Sequence, residues 1–441
     1  MNSKKRFYRE VLVWALLFMV MVLAPLALAL VGHQHPSRGF WVEFGVGLGF
    51  VAIALMGLQF VLTARFRGIA PGLGTDALLN VHRQAGYVAY VFVLGHVGVL
   101  IAANSEFLSF FDPRVNLPRS FALLGVLVLL TLLVALTIWR KALRIPYEYW
   151  RFSHGVFAFL ILFIGLAHIL MVGFYISAVW QKALWILLTG TALALLLQVR
   201  IVKPWLMRNR PYRVTEVRRE TDDIWTVQVQ PFGHQGLRYE PGQFAWVTIG
   251  PTPFTLQQHP FSFSSAATQK GLYEFTIREL GDFSSTIKSV KPDTTLYLEG
   301  PYGGFILKED AEELFFVAGG IGITPVMSML RTENERGSSR PATLLYAGVQ
   351  LESMVFRDAL EKLAETMDLR LVLIPELPPE NWEGPSGWIT DDLLRRYLPG
   401  DPSRCDYFVC GPAPMMDLVE ITLRDSGVPL HVIHSERFNI V

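Results

Sequence analysis

The chain has 441 residues, 51% of them hydrophobic, and a formal net charge of +1. That balance offers no basic surface for nucleic acid. Its two cysteines, Cys405 and Cys410, form neither a disulfide framework nor a standard zinc site, and no iron–sulfur ligand set exists. The apolar residues are unevenly placed: 1–200 contain long uncharged runs, whereas 210–441 read as an ordinary soluble chain. Six segments, 11–31, 41–64, 84–102, 120–138, 155–173 and 179–199, are each near the length that crosses a bilayer. Lys and Arg gather at alternate connections: Lys4, Lys5, Arg6 and Arg9; Arg65, Arg67 and Arg83; Arg140, Lys141, Arg144 and Arg151; Arg200, Lys203, Arg208 and Arg210. The positive-inside rule then puts both termini and the soluble half in the cytoplasm. "LALAL" in the first segment resembles a signal cleavage region, but the apolar run is longer than a signal core, so a retained helix is expected.

Helices three and five each carry two histidines fourteen residues apart, His82 with His96 and His154 with His168, the first of each pair just ahead of its apolar run. Fourteen helical steps fall about 40° short of four turns and advance about 21 Å, so each pair lies on nearly one face. Imidazole inside a membrane is costly and usually functional. Segments three and five run in the same direction, so equal depth pairs His82 with His154 and His96 with His168. This predicts two stacked haems with two axial imidazoles each, suited to electron transfer at the haem edge. The alternative, four histidines each satisfied by a neighbouring helix, is disfavoured by the repeated spacing. No Cys-x-x-Cys-His run is present, so the haems are expected to be b-type. Tyr90, Phe159 and Phe163 lie between the histidines, where helix packing or lipid contact competes with an electron-path role. His33 and His35 fall in the first outer loop, read as solvated. Arg114 and Arg119 could attract an anionic acceptor or face lipid phosphates. The outer connections are short, with no chelate pocket evident from the sequence.

From Tyr212 the pattern becomes strand-like, predicting a small antiparallel barrel to about residue 305. It carries "HPFSFSSA" (259–266), "FTIRELGDFSSTI" (275–287) and "GPYGGF" (300–305). Ser, backbone amides and an Arg near a Gly turn suit a pyrophosphate, and alternating aromatics suit the border of a flat ring. An ordinary barrel with turn glycines is the bland alternative. Next, "LFFVAGGIGITPVMSML" (314–330) runs an apolar strand into Gly319, Gly320 and Gly322, followed by Thr324 and Pro325. Glycines there let a diphosphate approach backbone N–H groups at a helix N-terminus. Proline stands where the Rossmann pattern has its last glycine. "ATLLYAGV", "FRDALEKLAE", "LRLVLI" and "YFVCGPAPMMDLVEITL" continue a β/α alternation, so a parallel sheet is expected. Cys410 and Gly411 sit at a strand end, where such sheets bind ligands; simple packing is the alternative for Cys410.

Together these pieces resemble the ferric reductase and NADPH oxidase superfamily over nearly the whole chain. The resemblance implies a multidomain fold: a six-helix transmembrane di-haem domain (1–205), an FAD-binding antiparallel β-barrel (210–306) and an NAD(P)H-binding α/β domain with a parallel sheet (312–441). The haem ligands map onto His82, His96, His154 and His168. The HPF(T/S)-x-S flavin motif maps onto His259, Pro260, Phe261, Ser262 and Ser264, with Ser265 beside it. Ile-Arg-x-x-Gly-Asp maps onto Ile277, Arg278, Gly281 and Asp282, and the following Gly turn contributes Gly300 and Gly303. The nucleotide loop maps onto Gly320, Gly322 and Pro325, flanked by Gly319 and Thr324, and Cys-Gly-Pro onto Cys410, Gly411 and Pro412. Phe438 is the aromatic expected against the isoalloxazine, three residues further from the end than is usual. Cys410 and Phe438 are the residues assigned to the chemistry. NADPH-using relatives carry an Arg where this chain has Val349, followed by Gln350, which removes a charge-assisted contact to a 2′-phosphate. Arg357 is a candidate to compensate, and NADH use is open. No EF-hand run is present. The implied activity is electron transfer from cytoplasmic NAD(P)H through FAD and two haems to an outer acceptor. That acceptor is dioxygen, giving superoxide, or else a ferric chelate; a third possibility is a haem subunit that delivers electrons to a partner oxidoreductase. The complete flavin module makes a partner protein unnecessary.

Overall fold

The computed structural model describes residues 3–31, 36–65, 75–308 and 311–438, so His33, His35 and Arg67 lie outside the described residues. The chain divides into two compact units, a helical one ending at Val202 and one that takes in Lys203–Val441.

The helical unit consists of α1 (Ser3–Leu30), α2 (Phe40–Thr63), α3 (Thr75–Ala103), α4 (Leu117–Trp139), α5 (Tyr147–Val172) and α6 (Val179–Leu197). All six are long and apolar enough to cross a membrane. In hydrocarbon each backbone group must be paired within the helix, which is why uninterrupted helices suit these runs. α3 and α5 begin nine and eight residues before the apolar runs at 84 and 155. Their first turns are polar, with Asn80 and Arg83 in one and Glu148 and Arg151 in the other, yet helical hydrogen bonding continues through them. His82 and His154 are therefore well inside their helices. Asn116 caps α4 by accepting the Arg119 N–H, and α5 stops at Gly173, whose φ of 63° supplies a left-handed cap. α2 is the most enclosed helix, 44% of its most apolar window being buried against 6–17% for the others. Its glycines permit close approach: a Cβ at Gly45 would stand 3.1 Å from Leu100, and one at Gly49 would stand 2.8 Å from the His96 ring.

In the second unit, the short helix α7 (Lys203–Met207) leads into six antiparallel strands. They are β1 (Tyr212–Arg219), β2 (Ile224–Pro231), β3 (Phe244–Ile249), β4 (His259–Ser262), β5 (Tyr273–Arg278) and β6 (Thr295–Tyr302), in the order β4-β3-β6-β1-β2-β5. The two edges meet at a bridge between Phe263 and Phe275, so the sheet curls into a half-barrel around Val214, Val229, Phe263, Tyr273 and Phe275.

A parallel sheet follows: β7 (Glu313–Gly319), β8 (Ala342–Gly348), β9 (Leu369–Pro375), β10 (Cys405–Cys410) and β11 (Ile433–Glu436), in the order β11-β10-β7-β8-β9. Helices α8 (Ile323–Glu335), α9 (Arg357–Thr366), α10 (Asp391–Tyr397) and α11 (Ala413–Asp425) pack on it. Both faces are covered, which is why "LFFVA" and "DYFVC" are apolar almost throughout. The strand order reverses between β7 and β10, which brings Gly319–Gly322 beside Cys410–Pro412. α8 is tied to the half-barrel. Ser328 Oγ donates to the Ser265 carbonyl at 2.7 Å, Thr332 Oγ1 accepts the Ala267 N–H at 2.9 Å, and Arg331 reaches the Ser264 carbonyl at 2.8 Å and Glu274 at 2.7 Å.

Candidate functional site

α3 and α5 bring the four histidines together as two facing pairs. The His82 and His154 rings are 6.2 Å apart between centroids, and the His96 and His168 rings 6.4 Å apart. With metal–nitrogen bonds of about 2.0–2.1 Å, an imidazole–metal–imidazole axis places ring centroids roughly 6.4 Å apart. Both pairs therefore fit two axial ligands of one iron. His96 Nδ1 lies 2.8 Å from the Gly45 carbonyl, an acceptor that turns the ring and leaves Nε2 for a metal. His82 is buried beside the Gln59 backbone, and His154 Nδ1 is 3.5 Å from Thr137 Oγ1, a marginal contact. These rings are held by packing more than by polar neighbours. A Cβ at Gly86, one turn beyond His82 on the same helix, would touch nothing within 4 Å. The two imidazoles of each pair fit as donors to one metal centre.

Of the aromatics between the histidines, Phe163 is 53% exposed on the bundle surface. Tyr90 is hydrogen-bonded to Thr131 on α4 at 3.3 Å, and Phe159 is half-buried and stacked on Phe163. Arg114 is paired with Asp112 at 3.0 Å, and Arg119 lies over the Phe110 ring and donates to the Ser109 carbonyl. The sequence reading missed a depression of about 650 Å³ at the His96–His168 end of the bundle, between the start of α2 and the end of α3. Arg38, Val42, Ile101, Asn104, Ser105 and Phe107 line it. The Arg38 guanidinium donates to Tyr175 at 3.0 Å and lies 4.1 Å from the Phe174 ring centroid. Such a site is invisible to a linear reading because residues 38 and 104 meet only in the bundle.

On the half-barrel, β4 displays Phe261 and Ser262. His259 stacks on Phe283 at 4.2 Å, extending an aromatic face that includes Phe261, and Pro260 pairs across the sheet with Trp246. Ser264 and Ser265 are fully buried. Ser264 Oγ is bonded to Thr276 and Ser265 Oγ to Tyr239, so both hydroxyls serve the barrel interior. Ser284 Oγ accepts the amides of Leu280 and Gly281, shaping the turn that carries Asp282. Arg278 is held by Asp223 at 2.6 Å, and its guanidinium is 4.0 Å from where a Cβ of Gly320 would be. Half-barrel cation and glycine loop thus face each other, as a diphosphate site requires.

In the parallel sheet, Gly320 has a φ of 53°, and a Cβ at Gly322 would stand 2.4 Å from the Cys410 carbonyl. Gly319 and Gly411 pack equally closely against each other and Met415, with Pro412 beside Gly319. Thr324 Oγ1 bonds within the loop to the Ile321 carbonyl, and Pro325 is buried in the first turn of α8. Burial pushes the Tyr346 phenol above its ordinary value, so it stays protonated and donates to the Gly320 carbonyl at 3.3 Å. The Cys410 side chain is wholly buried in the core on the α8–α9 side, where it packs as a small apolar residue. At the end of β11 the sequence reading missed Glu436. It is 7% exposed, with one carboxylate oxygen 3.5 Å from Ser262 Oγ and the other 3.4 Å from where a Cβ of Gly303 would be. Gly300 packs against the β3 backbone at Ala245, and Phe438, two residues beyond Glu436, is 40% exposed. Ser262, Gly303 and Glu436 thus converge from three distant parts of the chain.

Three domain families match in order along the chain. Residues 48–165 match the ferric reductase-like transmembrane component, 211–305 an FAD-binding domain and 316–420 the oxidoreductase NAD-binding domain. The chain is 31% identical over 184 residues to one component of the Na(+)-translocating NADH-quinone reductase of Psychrobacter cryohalolentis, covering 38% of this chain and 44% of that protein. It is 27% identical over 235 residues to the reductase component of propane 2-monooxygenase of Rhodococcus jostii, covering 51% and 62%. The chain spans about half the length of these curated relatives, 44% and 62%. Among solved structures, flavohemoglobin from Malassezia yamatoensis with FAD and heme aligns at a TM-score of 0.50 and 14% identity, covering 90% of this chain and 96% of that one. At that identity the likeness is one of fold alone.

Proposed function

From the premise that the chain has the domain architecture of the ferric reductase/NADPH oxidase-like family, we propose that it is a membrane NAD(P)H oxidase that makes superoxide from dioxygen. Two imidazole pairs at 6.2 and 6.4 Å, stacked along the same two helices, carry this reading. Over fourteen residues of continuous helix they stand about 21 Å apart, most of a hydrocarbon core of about 30 Å. When bound, FAD accepts a hydride and releases electrons singly, and iron between two imidazoles carries one electron at a time.

The chain's own residues position these groups. His82 with His154, and His96 with His168, hold two b-type haems. Phe261 and Phe438 would border the flavin ring, Ser262 and Glu436 would line the polar side of that site, and Arg278 with the Gly320 loop would take the diphosphates. The Lys- and Arg-rich connections orient the sheet unit and both termini toward the cytoplasm. One hydride supplies the electrons for two superoxide anions and leaves one proton on the cytoplasmic side.

A second reading, a ferric-chelate reductase, is favoured by the Arg38 depression. Its volume of about 650 Å³ far exceeds dioxygen, and its guanidinium suits an anionic chelate. Detergent-purified protein loaded with FAD and haem decides between them. Cytochrome c reduction in air that superoxide dismutase abolishes supports the oxidase. Dismutase-insensitive reduction with faster turnover on ferric citrate supports the chelate reductase. Silence toward both leaves electron delivery through the haems to a partner oxidoreductase.

A further inference from the structure

We propose that Glu376 and Trp388 form the adenosine end of the nicotinamide site and that Glu376 makes the chain select NADH over NADPH. The inference rests on the nicotinamide use proposed above. Ser262 and Glu436 meet at the end of β11, so the nicotinamide ring must lie on the β10–β11 side of the sheet. The diphosphate spans the switch point at Gly320, and the adenosine then extends the other way, over the ends of β8 and β9.

There the chain has built a small platform. The Glu376 N–H donates to the Gly348 carbonyl at 2.8 Å and the Leu377 N–H to the Val349 carbonyl at 2.9 Å, so the two strand ends stay paired beyond the sheet. The Gly387 N–H donates to the Pro375 carbonyl at 2.9 Å, which brings Trp388 alongside, and the indole N–H donates to Glu376 Oε1 at 3.2 Å. Trp388, Leu377 and Val349 are 69%, 58% and 49% exposed around that carboxylate. An exposed apolar patch around one oriented acid is a recognition surface rather than a solvated loop. Trp388 offers an adenine a stacking face, and Glu376 Oε2 offers the ribose 2′-hydroxyl an acceptor.

The surrounding charge has one sign. Residues 349–357 and 376–390 contain Glu352, Glu376, Glu380 and Glu383, against Arg357 alone. The Arg357 guanidinium is taken up by Asp358 at 3.1 Å and Glu361 at 3.9 Å. Its guanidinium is thus already engaged by acids on its own helix. In dinucleotide-binding sheets the acid that reads the ribose stands at the end of the second strand. Here β8 ends in Gly348 and Val349, and the acid arrives from β9 instead.

Anaerobic stopped-flow reduction of the bound flavin by NADH and by NADPH tests this, with the NADH/NADPH ratio of kcat/KM as the readout. Glu376→Gln is expected to lower that ratio by about tenfold or more, and Glu376→Asp to restore part of it. Trp388→Ala is expected to weaken both nucleotides alike by about tenfold. Calorimetric titration with ADP-ribose and its 2′-phosphate, which needs no electron transfer, should show the same selectivity. A ratio unmoved by Glu376→Gln in protein whose flavin is readily reduced overturns the inference. Flavin that neither nucleotide reduces in the unsubstituted protein overturns the reading beneath it.

Discussion

In the helical unit the candidate site is four side chains from two helices with few polar groups around them. In the sheet unit it is mostly backbone, placed by glycines packed too closely to admit a Cβ and by a carboxylate and a serine 174 residues apart in the chain. The first arrangement suits a rigid prosthetic group held by two strong bonds. The second suits flexible dinucleotides that need amides, close approach and a few charges. The difference teaches where each site is vulnerable: the histidine site to loss of a ligand, the nucleotide site to added volume.

Gly322→Ala should give the largest effect on the sheet unit. Its new Cβ would meet the Cys410 carbonyl at 2.4 Å, backbone against backbone, with a cost of about 1–3 kcal/mol. Flavin reduction by nicotinamide should be lost while haem content stays whole; haem lost in parallel would show that the two units do not act separately. Arg331→Ala comes next. It leaves the largely buried Glu274 and the Ser264 carbonyl short of a donor, costing about 2 kcal/mol, and should lower the unfolding midpoint of the sheet unit. An unchanged midpoint would mean that the other contacts of α8, among them Ser328, Thr332 and Glu335, suffice to hold it to the half-barrel. The smallest effect concerns acid. Hydrogen bonds from Lys288, then from Trp225, hold the Glu279 carboxyl below its ordinary value. Its contribution is complete above the unfolded value of about 4.3 and is lost as pH falls through the depressed folded value. Glu279→Gln should lower the unfolding midpoint slightly near neutrality and leave it unchanged below the depressed folded value, flattening its dependence on pH across that acid window.

The same contrast explains what could be read from sequence. The repeat of fourteen residues survives folding because a membrane helix preserves its spacing, and the histidine pairs meet as that spacing predicts. The alternation of strand and helix after residue 312 is equally local. The starts of α3 and α5 were not legible, because apolarity marks where hydrocarbon begins while the helix continues through polar first turns. Glu436 against Ser262, Glu376 beside Val349 and Arg38 above Asn104 were not legible either, since each joins residues far apart in the chain. That the Ser264 and Ser265 hydroxyls turn into the barrel was not legible, because a motif gives residue types without saying which way each side chain faces.

The measurement that goes straight to the central claim is haem content per chain by pyridine haemochrome, for the unsubstituted protein and for His82→Ala, His154→Ala, His96→Ala and His168→Ala. The account predicts two haems in the first, one in each variant, and the same remaining redox component whichever partner of a pair is removed. A chain with no haem, or losses that group His82 with His168, would contradict it.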